Sequence, residues 1–169
     1  MKVNVTDVVI GAVYGDEGKG LMTDYLAGKY IKQGKSVAVV RFNGGAQAGH
    51  TVNRNGMRHV FKHFGSGTLA GADTILSRHF ILNPIAFFQE LEDLNAKLSG
   101  GIKGVIYVEN DCMVTTPFDI FINQALELKR GDARHGSCGM GIGVTVGRYE
   151  EKNHKIDLRA WQLSTPILS

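Results

Sequence analysis

Val8-Val9-Ile10, then Gly15-Asp16-Glu17-Gly18-Lys19-Gly20, then Leu21-Met22-Thr23-Asp24-Tyr25-Leu26 form the stretch whose reading decides the fold. The apolar run reads as a buried strand within Val5 to Val13. Gly18 to Lys32 reads as a helix, with Leu21, Met22, Tyr25, Leu26 and Ile31 at helical spacing. A strand, a glycine-rich turn carrying a lysine, and a helix make a P-loop-like phosphate cradle. Small residues let backbone N–H groups approach an anion, and the helix N-terminus favours negative charge. The usual P-loop ends in lysine followed by a Ser or Thr whose hydroxyl binds magnesium. Here Gly20 follows Lys19, and a carboxylate, Asp16, sits inside the loop. Asp16 could hold the metal or take a proton beside the phosphates. The plainer reading is a tight turn whose acidic residues cap the helix.

Working outward, Ser36 to Phe42 contains Val37-Ala38-Val39-Val40 and reads as a second strand. Strand, helix, apolar strand is the signature of a parallel sheet. Met57 to Phe64 and Asp73 to Ser77 read as further strands. Asn83-Pro84 starts a helix with Ile85, Phe88, Leu91 and Leu94 as its buried stripe, and Gly100-Gly101 stops it. Gly104 to Glu109 reads as a buried strand. Thr116-Pro117 starts a helix with Phe118, Phe121, Ile122, Ala125 and Leu128 as its inner face. Phe87 and Phe88 read as core. Nothing repeats and no linker splits the chain. The expectation is a single α/β domain over 1–169, with a mainly parallel central sheet flanked by helices.

The chain has 169 residues, 43% hydrophobic and 21% charged, a balance that suits a globular domain and excludes a disordered one. A net charge of +3 suits a small anionic ligand and is too weak to argue for nucleic acid. Cys112 and Cys138 make no metal-spacing motif, so a reduced, cytoplasmic setting is the default. Met1 to Thr6 carries no signal-peptide pattern, and no apolar run approaches the roughly 20 residues of a membrane span.

A second glycine cluster, Arg41-Phe42-Asn43-Gly44-Gly45-Ala46-Gln47-Ala48-Gly49-His50-Thr51, follows the second strand. Two parallel strands that each end in a glycine-rich loop bring both loops to the carboxyl edge of the sheet, where ligands bind in open α/β folds. His50 then faces Asp16 and Lys19. A carboxylate and an imidazole can divide a proton-transfer task; the alternative is a histidine bonded to loop backbone. His63 and His135 flank glycine loops and are weaker candidates. His59, His79 and His154 read as structural or surface residues. Arg130, Arg134 and Arg148 read as a solvated surface that could meet a phosphate.

The two clusters, Gly-Asp-Glu-Gly-Lys-Gly and Arg-Phe-Asn-Gly-Gly with Ala-Gly-His-Thr-Val, closely resemble the adenylosuccinate synthetase family. The similarity continues through His63-Phe64-Gly65-Ser66-Gly67, Asn83-Pro84 and Gly136-Ser137-Cys138-Gly139-Met140-Gly141-Ile142-Gly143. The resemblance implies a two-step ligase. GTP phosphorylates the 6-oxygen of inosine monophosphate (IMP), and L-aspartate displaces that phosphate. Carried over, Asp16 is the base for the purine N1 proton and a magnesium ligand, and His50 is the acid or donor for the phosphoryl group in transit. Lys19 with Gly15, Glu17, Gly18, Gly20 and Thr51 is the GTP phosphate site. The Gly49 carbonyl is a second magnesium ligand. Asp16, Gln47, Ala48, Ser137 and Cys138 meet IMP. A cytoplasmic homodimer is also implied.

Departures from the family pattern fall in the nucleotide pocket. Gln47 stands where the family has Asn. Ser137 and Cys138 stand where it has two threonines, and a thiol is a poor donor to phosphate. Met140 replaces an arginine, and the arginine lent across the family dimer falls near Lys152, with Arg148 close by. These changes raise dGMP, giving 2-aminoadenylosuccinate, as a rival substrate, although Asp16 beside N1 leaves little room for a 2-amino group. The resemblance covers the N-terminal part of the family's length, and the family's aspartate-binding and guanine-recognition segments lie beyond it. Turnover by these residues alone is therefore not expected. Two other classes remain: a non-catalytic nucleotide- or partner-binding module, and a phosphohydrolase in which Asp16 directs water at GTP.

Overall fold

The computed structural model describes residues 5–134, 136–150 and 159–160. The helix α1 (Lys19–Lys32) begins at Gly18, whose φ of 76° only glycine adopts freely, and carries Lys29 and Lys32 in its last turn, where cations complement the helix dipole. Its inward residues are small or polar: Gly20, Asp24, Ala27 and Gly28. Strand β1 (Ala38–Arg41) follows, then the two-residue β2 (Gly44–Gly45) and an antiparallel hairpin of β3 (His50–Arg54) and β4 (Met57–Phe61). Arg54 lies across α1 and donates to Asp24 Oδ2 at 2.7 Å. Gly28 leaves it the room, since a Cβ there would stand 2.4 Å from the guanidinium.

Next come β5 (Asp73–Leu76), β6 (Phe80–Leu82), α2 (Pro84–Lys97), β7 (Ile106–Val108), β8 (Met113–Val114), α3 (Pro117–Arg130) and α4 (Ile142–Glu150). Two short parallel sheets result, ordered β1-β5-β7 and β2-β6-β8. Each strand of the first sheet runs on, after a break, into a strand of the second. Across the breaks Ser77 N–H donates to the Arg41 carbonyl at 3.2 Å and Glu109 N–H to the Leu76 carbonyl at 3.0 Å. The structure is therefore α/β with parallel sheets and flanking helices, as the sequence implies.

Four local expectations need correction. The strand expected to be buried over 104–109 is half-exposed as β7, with Tyr107 pointing outward, because it lies at the edge of its sheet with a partner on one side only among the described residues. Val5 to Val13 forms no strand: Val8 is 80% and Ile10 79% exposed. A strand requires a ladder partner. Strand β1 pairs with β5 on one side, and among the described residues nothing pairs with its other edge. The segment is tied instead by the Tyr30 hydroxyl, which donates to Asp7 at 2.7 Å.

Helix α2 starts as expected, with Asn83 Oδ1 accepting from Ala86 N–H at 3.1 Å. Its buried face is Phe87, Glu90, Leu91 and Leu94, whereas Ile85 and Phe88 point outward. The cause is Glu90. Its carboxylate accepts from the backbone N–H groups of Lys62 (3.0 Å), His63 (2.8 Å) and Phe64 (3.4 Å), and this sets the helix's rotation. Phe87 then stacks on Phe64 with ring centroids 5.1 Å apart. It also touches both apolar cores, one of Val52, Phe61, Phe64 and Leu94, the other of Leu76, Phe80, Leu82 and Cys112.

Helix α3 carries the expected cap, a box between Thr116 and Asp119. Its Phe118 (76%) and Leu128 (79%) face outward, as do Phe121, Ile122 and Ala125. Here too a polar group sets the rotation: buried Asp119 pairs with Arg148 of α4 at 3.0 Å.

Glu90 is the polar centre of the fold. His59 Nε2 and His63 Nδ1, both buried, lie 3.5 and 3.4 Å from its oxygens. Burial pushes its acidity constant up, but these imidazoles and the backbone donors outweigh it and hold the carboxyl at about 2 against an ordinary 4.5. A carboxyl depressed on folding stabilises the protein above its unfolded value and loses that contribution as pH falls through the folded one. Glu90→Gln should destabilise by about 2–4 kcal/mol at neutral pH. Its urea midpoint should change less than the wild type's between about pH 4.5 and pH 2. Parallel curves across that window would show that Glu90 is not the group responsible.

Candidate functional site

The first glycine loop has a left-handed backbone at three positions: Gly15 (φ 122°), Asp16 (φ 53°) and Gly18 (φ 76°). Asp tolerates this region better than most side chains, and its appearance there marks a backbone held for a purpose other than regular structure. The Asp16 side chain is exposed on the loop. Glu17 does the opposite and folds beneath it. Its carboxylate accepts from Val13 N–H at 2.8 Å and Gly15 N–H at 3.3 Å, and pairs with the Lys19 ammonium. The carboxylate packs against Gly11, where a Cβ would sit 2.2 Å from Glu17 Oε2 and displace it. The Lys19 ammonium and the Val13 amide draw the Glu17 carboxyl down to about 2. Glu17 is thus an internal strut of the loop, and its backbone amide is what remains for an anion.

The N-terminus of α1 lies directly on His50. A Cβ on Gly20 would stand 2.8 Å from His50 Cβ and 3.3 Å from Ser66 Oγ. On its other side His50 meets Arg41, at the carboxyl end of β1. Arg41 Nη1 lies 2.5 Å from His50 Nδ1, and Nη2 donates to the carbonyls of Lys62 (2.8 Å) and Ala48 (3.4 Å). Burial, then the charges of Arg41 and Lys19, push the imidazole down to about 4, so the ring is neutral at physiological pH.

Gly45 joins the second loop to the third. A Cβ on Gly45 would stand 2.8 Å from Ile142 Cδ1, 2.9 Å from the Ile81 carbonyl oxygen and 3.1 Å from Gln47 Oε1. The first residue of α4 therefore abuts the loop that carries Gln47 and Ala48. Gly49 packs equally closely: a Cβ there would be 2.9 Å from Val60 Cγ1. Thr51 pairs with Val60 in the hairpin and is exposed. Ser137 and Cys138 are exposed as well. Ser137 is turned toward α3, where its hydroxyl accepts from Asn123 Nδ2 at 3.0 Å. The N–H groups of Gly136 and Ser137 donate to Glu127 Oε2 at 3.0 and 3.4 Å.

The structure brings Lys19, Gly20, His50 and the Gln47–Ala48 turn into one neighbourhood, and ties Ser137 to α3. Three contributors carried no role in the sequence reading. Arg41 stood inside a quoted motif, and its position just before the loop was the available signal. Ser66 also stood inside a quoted motif, whereas Glu127 had no signal, because only the fold brings it to the glycines of the third loop. Arg148, a candidate for phosphate, is engaged with Asp119 and with the Val114 carbonyl at 2.7 Å. His135, Lys152 and His154 lie outside the described residues. Cys112 is buried, its thiol pushed up to about 11, chiefly by that burial, and both cysteines are free.

Among the described residues no three His, Cys, Asp or Glu side chains cluster as a metal site. Magnesium is commonly held by one or two carboxylates together with substrate phosphates and water. One exposed loop carboxylate, Asp16, with the Gly49 carbonyl as a second oxygen, matches that donor chemistry. No helix among the described residues is long and apolar enough to cross a membrane.

A family model described as adenylosuccinate synthetase matches residues 8–167. An adenylosuccinate synthetase of Neisseria gonorrhoeae is 36% identical over 160 residues, covering 94% of this chain and 35% of that protein. One of Bordetella petrii is 35% identical over 163 residues, covering 95% and 35%. The chain thus spans about a third of the length of the curated relatives it matches. Among solved structures, fully ligated adenylosuccinate synthetase of Plasmodium falciparum superposes with a TM-score of 0.72 at 27% identity, over 92% of this chain and 34% of that one. The succinoaminodeoxyadenylate synthetase of cyanophage S-2L, bound to dGMP and dATP, superposes with a TM-score of 0.64 at 19% identity, over 90% and 40%. At that identity it shows the shared fold alone.

The contact at Gly45 can be tested by filling it. Gly45→Ala should lower stability by about 1–3 kcal/mol, since the Ile81 carbonyl, 2.9 Å from the new Cβ, is backbone that cannot swing aside. Gly143→Ala, where nothing lies within 4 Å of the new Cβ, should leave stability unchanged or raise it by up to about 1 kcal/mol. Equal urea midpoints for the two variants would contradict the packing of α4 on the second loop.

Proposed function

Because the chain belongs to the adenylosuccinate synthetase family, we propose that it forms the phosphate-handling part of a GTP-dependent ligase that joins L-aspartate to IMP. The observation that carries the reading is the meeting of the α1 N-terminus, Lys19 and His50 behind Gly20. A helix N-terminus with a lysine attracts phosphate. A neutral imidazole against it offers a donor where the phosphoryl group passes.

In this reading Asp16 removes the N1 proton of IMP, which makes the 6-oxygen nucleophilic toward the γ-phosphate of GTP. Lys19 and the amides of Gly15, Glu17, Gly18 and Gly20 neutralise charge on the transferred group, with Thr51 beside them. Lys19 exchanges its Glu17 partner for phosphate. His50 hydrogen-bonds the phosphoryl oxygen. Gln47, Ala48, Ser137 and Cys138 hold IMP, and the Glu127 carboxylate yields the amides of Gly136 and Ser137 to the nucleotide. Magnesium, held by Asp16 and the Gly49 carbonyl, would supply further charge neutralisation on the phosphates. Asp16 keeps IMP ahead of dGMP, because a 2-amino group beside N1 would crowd the carboxylate. We place the protein in the cytoplasm as a homodimer.

A second reading is a non-catalytic module that docks with further polypeptide. The exposed Phe118, Phe121 and Leu128 of α3 favour it, since contiguous exposed apolar surface marks interaction sites. The 169 residues alone are expected to bind nucleotide without turnover.

Calorimetric titration with IMP, GMP and dGMP, each with GTP and magnesium, separates these readings. IMP should bind, and Asp16→Ala should weaken binding by about tenfold or more, roughly 1.4 kcal/mol. A preference for dGMP would move the reading to the 2-amino purine. Binding of none of them would leave the docking module.

A further inference from the structure

We infer that Arg41 is a positioning residue that fixes His50 in the Nε2–H form, so that His50 presents an N–H to the transferred phosphoryl group. The assignment rests on the ligase reading for its consequence, but on geometry alone for the tautomer.

Arginine has five N–H donors and no acceptor. Where its Nη1 meets His50 Nδ1 at 2.5 Å, the imidazole nitrogen can only accept. A neutral ring that accepts at Nδ1 carries its proton on Nε2. A second proton on Nδ1 would face the guanidinium directly, with two donors and no acceptor between them.

Arg41 cannot easily turn away. It is 5% exposed, and its Nη2 is held by the Lys62 and Ala48 carbonyls. The guanidinium lies 5.3 Å from the centroid of the Phe80 ring. The charged groups around the pair are Lys19, from α1, facing His50, and Glu90, from α2, on the far side of Arg41. Among the described residues no carboxylate is paired with the imidazole itself, so the guanidinium sets the tautomer. Backbone carbonyls on both sides of the loop thus fix the guanidinium, the guanidinium fixes the ring, and Gly20 lets that ring sit at the helix N-terminus. Nε2 is the one ring nitrogen left for a ligand. An N–H there is placed to donate to a phosphoryl oxygen.

The test is long-range 15N–1H NMR of the labelled full chain at neutral pH, with the His50 signals identified by their loss in His50→Gln. The expected wild-type pattern is a single Nε2–H tautomer. Arg41→Lys, which keeps a charged donor, should retain it. Arg41→Met should give averaged shifts, with both tautomers populated to within about tenfold of each other. An Nδ1–H pattern in the wild type, or an unchanged pattern in Arg41→Met, would overturn the assignment. The wild-type spectrum decides even where Arg41→Met fails to fold. Calorimetry on the same samples keeps the two ideas apart. An Nε2–H ring in a chain that binds no nucleotide would retire the ligase reading and leave the positioning role of Arg41 intact.

Discussion

Three consecutive backbone amides, those of Lys62, His63 and Phe64, end on one buried carboxylate, Glu90. Most of the site depends on that convergence. It turns α2 so that Phe87 stacks on Phe64 and reaches both apolar cores. It also fixes the chain leaving β4, and the Lys62 carbonyl on that chain is the strongest anchor of Arg41 after His50. A line of ordinary hydrogen bonds therefore runs from the middle of α2 to an imidazole at the tip of α1. A buried carboxylate satisfied by backbone donors is expensive to disturb, and this gives the line its rigidity.

Glycine does the complementary work by allowing approach. Gly20 lets a helix terminus rest on His50, and Gly45 lets Ile142 and the Ile81 carbonyl close on the second loop. At neither position is the backbone left-handed; the requirement is space. The left-handed positions lie at Gly15, Asp16 and Gly18 and shape the loop itself. The two uses of glycine separate cleanly in this chain: conformation makes the anion cradle, and proximity places the imidazole beside it.

What was legible in the sequence was local. Asn83-Pro84 and Thr116-Pro117 announce their helices because a cap and a first-turn proline act within four residues. The loop motifs were legible for the same reason. Helix rotation was not. The apolar stripes of α2 and α3 point to one face, but the buried carboxylates of Glu90 and Asp119 each found partners from distant segments, and those contacts outrank the stripe. The apolar run at Val8 to Ile10 misled because periodicity describes a strand's faces and says nothing of whether an edge is there to receive it. Arg41 was in plain view, yet its task depends on His50 and Lys62 lying together, which only the parallel sheet and hairpin arrange.

In the third loop the amides are already engaged by a carboxylate. Gly136 and Ser137 point two successive N–H groups outward, and a carboxylate from α3, Glu127, has taken them. Arg130 pairs with that same carboxylate at 2.5 Å, and together with the amides it holds Glu127 below its ordinary range despite the opposing effect of desolvation. An internal carboxylate is a chemical stand-in for phosphate: planar where phosphate is tetrahedral, singly charged where phosphate is nearly doubly so. Phosphate presents more oxygens and more charge to the same amides, so the exchange favours it on electrostatic grounds. Backbone donors are indifferent to the side chains around them. The two amide contacts to Glu127 therefore do not depend on the side chains of Ser137, Cys138 and Met140, the positions that depart from the family pattern.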